Sequence, residues 1–360
     1  MSVKAGETHT AKAEARNGQS AAAEACVLHG LSFICSSLAK QGDDYVWYAI
    51  TSVQSLQKMN GSKEAKYIIR TTAEGKELRI PTGTIRGARA GEQISIYGGQ
   101  HGTEYAGIEA VQRLYRELDP ADVRGTIVIS LATNEESLLN WTQFAPTLPE
   151  VKDMMLELGR GSQYIINCHG GEYSEAMCPY VICRLIGDEK AEATVMRMAR
   201  AFGVGYVSLS RYRGVPPPDK AHEAASWWLW PKKNLCDELG IPEITPEVGE
   251  KGSRDDSLMY TGIVNVLREL DFLEDDVTDV PELKVIGDRY WLTADEQGMF
   301  FPEVEVCQHV TAGQRIGVVR DYFGSVLQVV EAPADMKVMS INVSMPVKKD
   351  GYLLWLGEVE

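Results

Sequence analysis

Gln93-Ile94-Ser95-Ile96-Tyr97-Gly98-Gly99-Gln100-His101-Gly102-Thr103-Glu104 passes from a β-rich run through two glycines into a polar turn. Beyond it Ile108, Val111, Leu114, Tyr115 and Leu118 recur at helical spacing until Pro120. The segment therefore reads as strand, turn and helix, and in open α/β sheets ligands collect at the carboxyl ends of strands. His101 and Glu104 lie three apart on the first helical turn, so both side chains can face one point. An imidazole and a carboxylate so placed are suitable zinc ligands.

The pattern extends on both sides. Residues 67–72 and 77–81 read as two strands joined at Ala73-Glu74-Gly75. Gly125 to Leu131 is a continuous apolar run of the kind buried in a parallel sheet. Tyr164 to Asn167 and Tyr180 to Cys183 are further strands, and Glu189 to Phe202 and Ser257 to Leu270 are helices. This alternation predicts an α/β sandwich with a mixed, mostly parallel sheet. Past Leu273 short β segments alternate with turn residues, which predicts a small all-β C-terminal domain over 274–360. Residues 1–25 read as a disordered tail, leaving 26–273 for the main domain.

Two further segments carry chemistry. Ile165-Ile166-Asn167-Cys168-His169-Gly170-Gly171-Glu172 again runs an apolar strand into a histidine followed by glycines, and offers a third ligand from a second strand end. Gly240-Ile241-Pro242-Glu243-Ile244-Thr245-Pro246-Glu247-Val248-Gly249 is a short strand that delivers a carboxylate suited to proton transfer beside a metal. On the residues alone Glu243, Glu247 and Glu250 serve equally well. His9, His29, His222 and His309 lack such a setting.

Composition narrows the function classes. The chain of 360 residues is 44% hydrophobic and 24% charged, ordinary for a globular protein. A net charge of −15 argues against nucleic-acid binding, and no apolar run is long enough for a transmembrane helix. A small-molecule substrate is expected, without membrane or nucleic acid, and a homo-oligomer is compatible with the sequence. Seven irregularly spaced cysteines suggest reduced thiols and a cytoplasmic setting. Cys168, beside His169, reads as a small buried hydrophobe rather than a nucleophile.

In order and context these three motifs resemble the succinylglutamate desuccinylase/aspartoacylase family of the zinc carboxypeptidase-like superfamily. The resemblance runs from about residue 65 to the end and includes Gly298 to Pro302 and Ala332 to Asp335. It implies a carboxypeptidase-like α/β/α domain with a β domain shaping the site entrance. It also implies one zinc per chain on His101, Glu104 and His169, with Glu247 as general base and acid. Asn134 matches a family asparagine, but Gln143 stands where the carbonyl-polarising arginine is expected. The family's Asp-Leu-Asn-Arg motif has no counterpart; that region reads Thr147-Leu148-Pro149-Glu150-Val151. Glutamine offers only a neutral donor to an oxyanion, so another cation is needed, and Arg184, Arg211 and Arg213 are the candidates. The segment 211–234, with Trp227, Trp228 and Trp230, either packs on the main domain or closes over the site.

The leading expectation is zinc-dependent hydrolysis of an amide in a small N-acyl amino acid or related substrate, with water activated at the zinc and Glu247 taking its proton. The alternatives are a zinc-dependent lyase or elimination enzyme, and a non-catalytic binding protein.

Overall fold

The structure is a computed structural model that describes residues 60–359 except 142–146, 213–232 and 279, together with the backbone of four strands between residues 25 and 48. The predicted tail, Gln143, Arg213 and the tryptophan segment thus lie outside the described residues. The chain forms two compact units, Met1–Ser62 and Lys63–Glu360. In the first, β1 (Ala25–Leu28) pairs with β2 (Leu31–Ile34) and β3 (Ser37–Gln41) with β4 (Asp44–Tyr48), both antiparallel.

The second unit opens with β5 (Ser62–Thr71), β6 (Glu77–Arg86), β7 (Arg89–Tyr97), α1 (Tyr105–Glu117) and β8 (Arg124–Ser130). Next come α2 (Glu135–Leu139), α3 (Pro149–Gly159), β9 (Tyr164–Asn167), β10 (Glu175–Met177), β11 (Tyr180–Leu185), α4 (Glu189–Phe202) and β12 (Tyr206–Arg211). Then follow α5 (Leu235–Leu239), β13 (Glu243–Glu247) and α6 (Ser257–Glu269). The last stretch is all β among the described residues: β14 (Lys284–Thr293), β15 (Gly298–Pro302), β16 (His309–Val310), β17 (Arg315–Arg320), β18 (Val326–Glu331), β19 (Met336–Asn342), β20 (Pro346–Val347) and β21 (Tyr352–Val359).

The sheet order β5-β6-β8-β7-β9-β13-β11-β12 continues through β14 into β21, β19 and β10. β8, β7, β9 and β13 run parallel, whereas β6 and β11 are antiparallel to their neighbours in that set. The C-terminal strands are therefore joined to the main sheet, because β14 pairs in parallel with β12. A separate sheet of four, β18-β17-β15-β20, completes this part.

Both faces of the central strands are covered, which explains their near-continuous apolar sequences. Ile94, Ile96, Ile127, Ile129 and Ile166 pack under α1, α4 and α6 with Leu114, Met198 and Ile263. Tyr97 and Ile165 point the other way, against Met154 and Met155 of α3 and Leu235 of α5. No helix among the described residues is long and apolar enough to cross a membrane.

Cysteine pairing departs from the expected free thiols. Cys178 and Cys307, 129 positions apart, form a disulfide with Cα atoms separated by 5.1 Å. Their amides bond to adjacent carbonyls of one strand, Met339 and Val338 of β19, which brings them together. Cys168, Cys183 and Cys236 are free and buried.

The loop after β9 is packed to backbone contact. A Cβ on Gly170 would lie 2.2 Å from the Val248 carbonyl oxygen. Gly170→Ala should therefore cost about 1–3 kcal/mol of stability, read as a lowered urea midpoint without loss of the far-ultraviolet dichroism of the folded chain.

Candidate active site

β7, β9 and β13 are neighbours and parallel, so their carboxyl ends share one edge of the sheet. After β7 the chain needs a sharp turn, supplied by Gly99 at φ +72. The amides of Thr133 and Asn134 then close on the carbonyls of Gly98 and Gly99. Glu104 occupies the N-cap of α1 but makes no side-chain cap bond. Its carboxylate turns instead toward the imidazoles.

His101 Nδ1 lies 2.6 Å from Glu104 Oε1, and His169 Nδ1 lies 3.1 Å from Oε2. The two rings meet edge to face with centroids 4.8 Å apart. One ligand atom from each of the three residues falls within 4.8 Å of the others. Glu104 is 6% exposed, and its Oε2 is buried with no hydrogen bond of good geometry. Two neutral-capable imidazoles converging on an orphaned buried carboxylate oxygen fit a divalent cation, and zinc accepts this donor set. His101 is the most open of the three, its side chain 25% exposed.

Charge at the site points the same way. Glu172 is buried, accepts from Thr103 Oγ1 at 3.0 Å and lies 3.9 Å from His101 Nδ1. Burial alone would lower the pKa of His101, but Glu104, with Glu172 and Glu247 behind it, raises it to about 9. Without a metal, a proton on this imidazole supplies the positive charge that the carboxylates require. Glu172 and Glu175 escaped the sequence reading; for Glu172 the Gly170-Gly171-Glu172 context was the available signal.

Glu247 ends β13 beside the ligands. It forms an isolated parallel bridge with His169, and Val248 N donates to the His169 carbonyl at 2.9 Å. Burial, then Glu104 and Glu175, hold its carboxyl well above the usual range, opposed by His101 and Arg184. Its two rivals are engaged elsewhere. Glu243 is buried and accepts from the amide of Cys236 at 2.9 Å, at the start of α5. Glu250 accepts from Met177 N at 3.1 Å and pairs with Lys251 at 3.0 Å.

The other sequence candidates separate clearly. Asn134 is buried at the N-cap of α2, and its side-chain oxygen accepts from Ser137 N at 3.1 Å. Arg184 points to the face of the sheet that carries Glu247. Arg211 does not reach the site: it is paired in register with Leu185, on the alternate face, and its Nη2 binds Glu192 of α4 at 2.7 Å. Cys168 is buried, and burial pushes its thiol well above the range of a reactive thiolate.

Residues 90–154 match the family described as the Succinylglutamate desuccinylase/Aspartoacylase catalytic domain. Over this segment the chain is similar to the catalytic domain of the succinylglutamate desuccinylase/aspartoacylase family. The fold agrees with solved structures. A succinylglutamate desuccinylase from Silicibacter sp. TM1040 superposes with a TM-score of 0.70 at 18% identity, covering 84% of this chain and 96% of that one. The product-bound ectoine utilization protein EutE (DoeB) from Ruegeria pomeroyi gives 0.69 at 18% identity, over 83% and 96% of the two chains. A succinylglutamate desuccinylase/aspartoacylase from Rhodobacter sphaeroides gives 0.69 at 17%, over 84% and 96%. At these identities the likeness is one of fold. Comparison with curated proteins returns no match.

Two outcomes are expected. The purified protein should carry about one zinc per chain by atomic emission, and His101→Ala and Glu104→Gln should each lose most of it while staying folded. In chelator-treated protein Glu175 supplies a pH dependence of its own. Burial raises its carboxyl from 4.5 to about 7; the Ser340 hydroxyl opposes this, and Glu104 and Glu172 add to it. The folded chain therefore binds this proton more tightly than the unfolded one. Its contribution is full below about pH 4.5 and is lost as pH rises toward 7, by roughly 1–3 kcal/mol. Glu175→Gln should flatten the urea midpoint across that window.

Proposed function

We propose that the protein is a zinc-dependent hydrolase that cleaves an amide bond in a small N-acyl amino acid or a related amino-acid-like substrate. The family match over 90–154 supports a deacylase-type hydrolase. The observation that carries the finer reading is the placement of Glu247. It stands directly beside His169 on the neighbouring parallel strand, while Glu243 and Glu250 are held by backbone amides.

His101, Glu104 and His169 would hold the zinc. When bound, zinc supplies a Lewis acid that polarises a carbonyl and acidifies water. Glu247 takes a proton from the attacking water and returns it to the leaving nitrogen. Its raised pKa suits the second half of that task. The first half needs opposing positive charge, which His101 and Arg184 already provide in part. Glu172 holds Thr103 Oγ1, fixing the turn between the first two ligands. The partial exposure of His101 leaves one approach for the substrate.

Glu247→Gln should retain zinc and lose turnover by about 10²–10⁴-fold, measured against a panel of N-acyl amino acids by amine release. Incorporation of oxygen from labelled water into the released acid separates hydrolysis from elimination. A native zinc-loaded protein that releases no amine from any member, or an unaltered rate in Glu247→Gln, would refute the reading.

A further inference from the structure

The sheet edge that carries the candidate metal cluster has a fourth member. β7, β9 and β13 bring their carboxyl ends there, and β11, antiparallel to β13, begins there. His101 and His169 follow the first two strands, Glu247 closes the third, and Tyr180 opens the fourth. Neighbouring strands lie about 4.8 Å apart, so Tyr180 extends the row by one strand. It is paired in register with Glu247, and directly opposed residues project from the same face of a sheet.

Tyr180 is 4% exposed, yet its hydroxyl makes no hydrogen bond among the described residues. Tyr97 is the other tyrosine buried this deeply among them, and its hydroxyl donates to the Met155 carbonyl at 2.8 Å. Tyr352, which lies behind the site, donates to Ser340 Oγ at 2.7 Å. A buried hydroxyl left unpaired is costly, and phenylalanine would meet a packing role without that cost.

The ring is held too firmly to seek a partner. It packs edge to face on Trp355 with centroids 5.5 Å apart, and Trp355 stacks on Trp291 at 5.5 Å. Two residues earlier, Cys178 is bridged to Cys307, and its amide donates to the Met339 carbonyl at 2.8 Å. Burial, then Glu247 and Glu175, push the phenol well above the usual tyrosine range, against the opposing charge of Arg289. Tyr180 is therefore a fixed, protonated donor beside Glu247.

Around it the cluster offers mainly acceptors, the carboxylates of Glu104, Glu172, Glu175 and Glu247. Arg184 stands four residues further along β11 and is engaged there. Its Nε lies 3.4 Å from Thr245 Oγ1, and its Nη1 donates to Ser210 Oγ at 3.1 Å. Attack of water on an amide builds negative charge on the carbonyl oxygen, close to the base that activates the water. A donor already fixed there stabilises that charge without reorganising.

We propose that Tyr180 is a further catalytic residue, whose phenol donates a hydrogen bond to the oxygen of the scissile carbonyl as that oxygen becomes negative. The assignment deepens the hydrolase reading and rests on it for the reaction. No proton is transferred: the phenol keeps its hydrogen, and Glu247 alone carries the proton from water to the leaving nitrogen.

The test compares zinc-loaded, full-length wild type and Tyr180→Phe on the panel of N-acyl amino acids. The variant should lose about 10²–10³-fold in kcat with KM little changed, and keep its zinc content and urea midpoint. The same two proteins are titrated calorimetrically with methylphosphonate, whose tetrahedral oxyanion imitates the addition intermediate. Its binding should weaken about 10–100-fold in Tyr180→Phe. An unaltered kcat overturns the proposal. So does a variant that misfolds, or one whose urea midpoint falls together with its activity, since the hydroxyl would then serve the fold. If wild type cleaves no member of the panel, the hydrolase reading falls and methylphosphonate decides alone. Weaker binding by Tyr180→Phe then upholds the donor, and equal or absent binding overturns it as well.

Discussion

Glu104 is buried between two imidazoles that arrive on different strands, and the rest of the site follows from satisfying that carboxylate. An isolated buried carboxylate is costly, and breaking a buried pair costs more than forming one gains. His101 Nδ1 at 2.6 Å and His169 Nδ1 at 3.1 Å compensate it only if positive charge resides there, as a proton or as a metal. Glu172, Glu175 and Glu247 deepen the deficit, since each lies within electrostatic reach of this cluster. A proton or a metal ion on the two imidazoles relieves that deficit, and His101, Glu104 and His169 are placed so that they could hold a metal.

Holding that cluster requires three parallel strand ends at one edge, and the backbone is shaped for it. The turn after β7 enters the left-handed region at Gly99, and Gly170 leaves room for the Val248 carbonyl beside it. Side chains at these points would separate His169 from Glu247. Behind the cluster, Glu175 and Tyr352 both bond to Ser340 Oγ, joining the loop after the third ligand to β19 and β21. The Cys178–Cys307 disulfide fixes the same loop to the C-terminal strands two residues before Tyr180, which faces Glu247. The C-terminal strands thus buttress the chemistry as well as extending the sheet.

The three residues that could hold a metal were legible in the sequence because each is announced locally. An apolar run, glycines and a histidine describe a strand end without knowledge of its neighbours, and both predicted strands lie where expected. The choice among Glu243, Glu247 and Glu250 was not legible from the residues alone. It depends on β13 inserting between β9 and β11, a matter of strand order that local patterns do not encode. Arg211 failed for a related reason. One residue along a strand reverses the face, so Ser210 looks toward Arg184 while Arg211 looks toward α4. Asn134 matched in position, yet its side-chain oxygen caps α2. The disulfide joins positions 129 apart, a pairing that spacing cannot suggest.

The candidate metal cluster and the polar face beside it are built by different means, and this bears on how each can change. The metal end sits on turns after strands, where the ligands are set by short motifs and local backbone geometry. The neighbouring polar face is made from side chains rising out of strand interiors, with Arg184 from β11 and Arg289 from β14, on either side of β12. Its geometry is therefore set by register across several strands and by the join between the main sheet and the C-terminal strands. A slip of one residue in β11 would turn Arg184 into the apolar layer beneath α4, where Val181, Cys183, Val195 and Met198 now pack. Burying an unpaired guanidinium there is expensive enough to enforce the present register. The polar face and the apolar layer beneath thus specify one another: the alternation that keeps the core dry also keeps Arg184 on the face that carries Glu247.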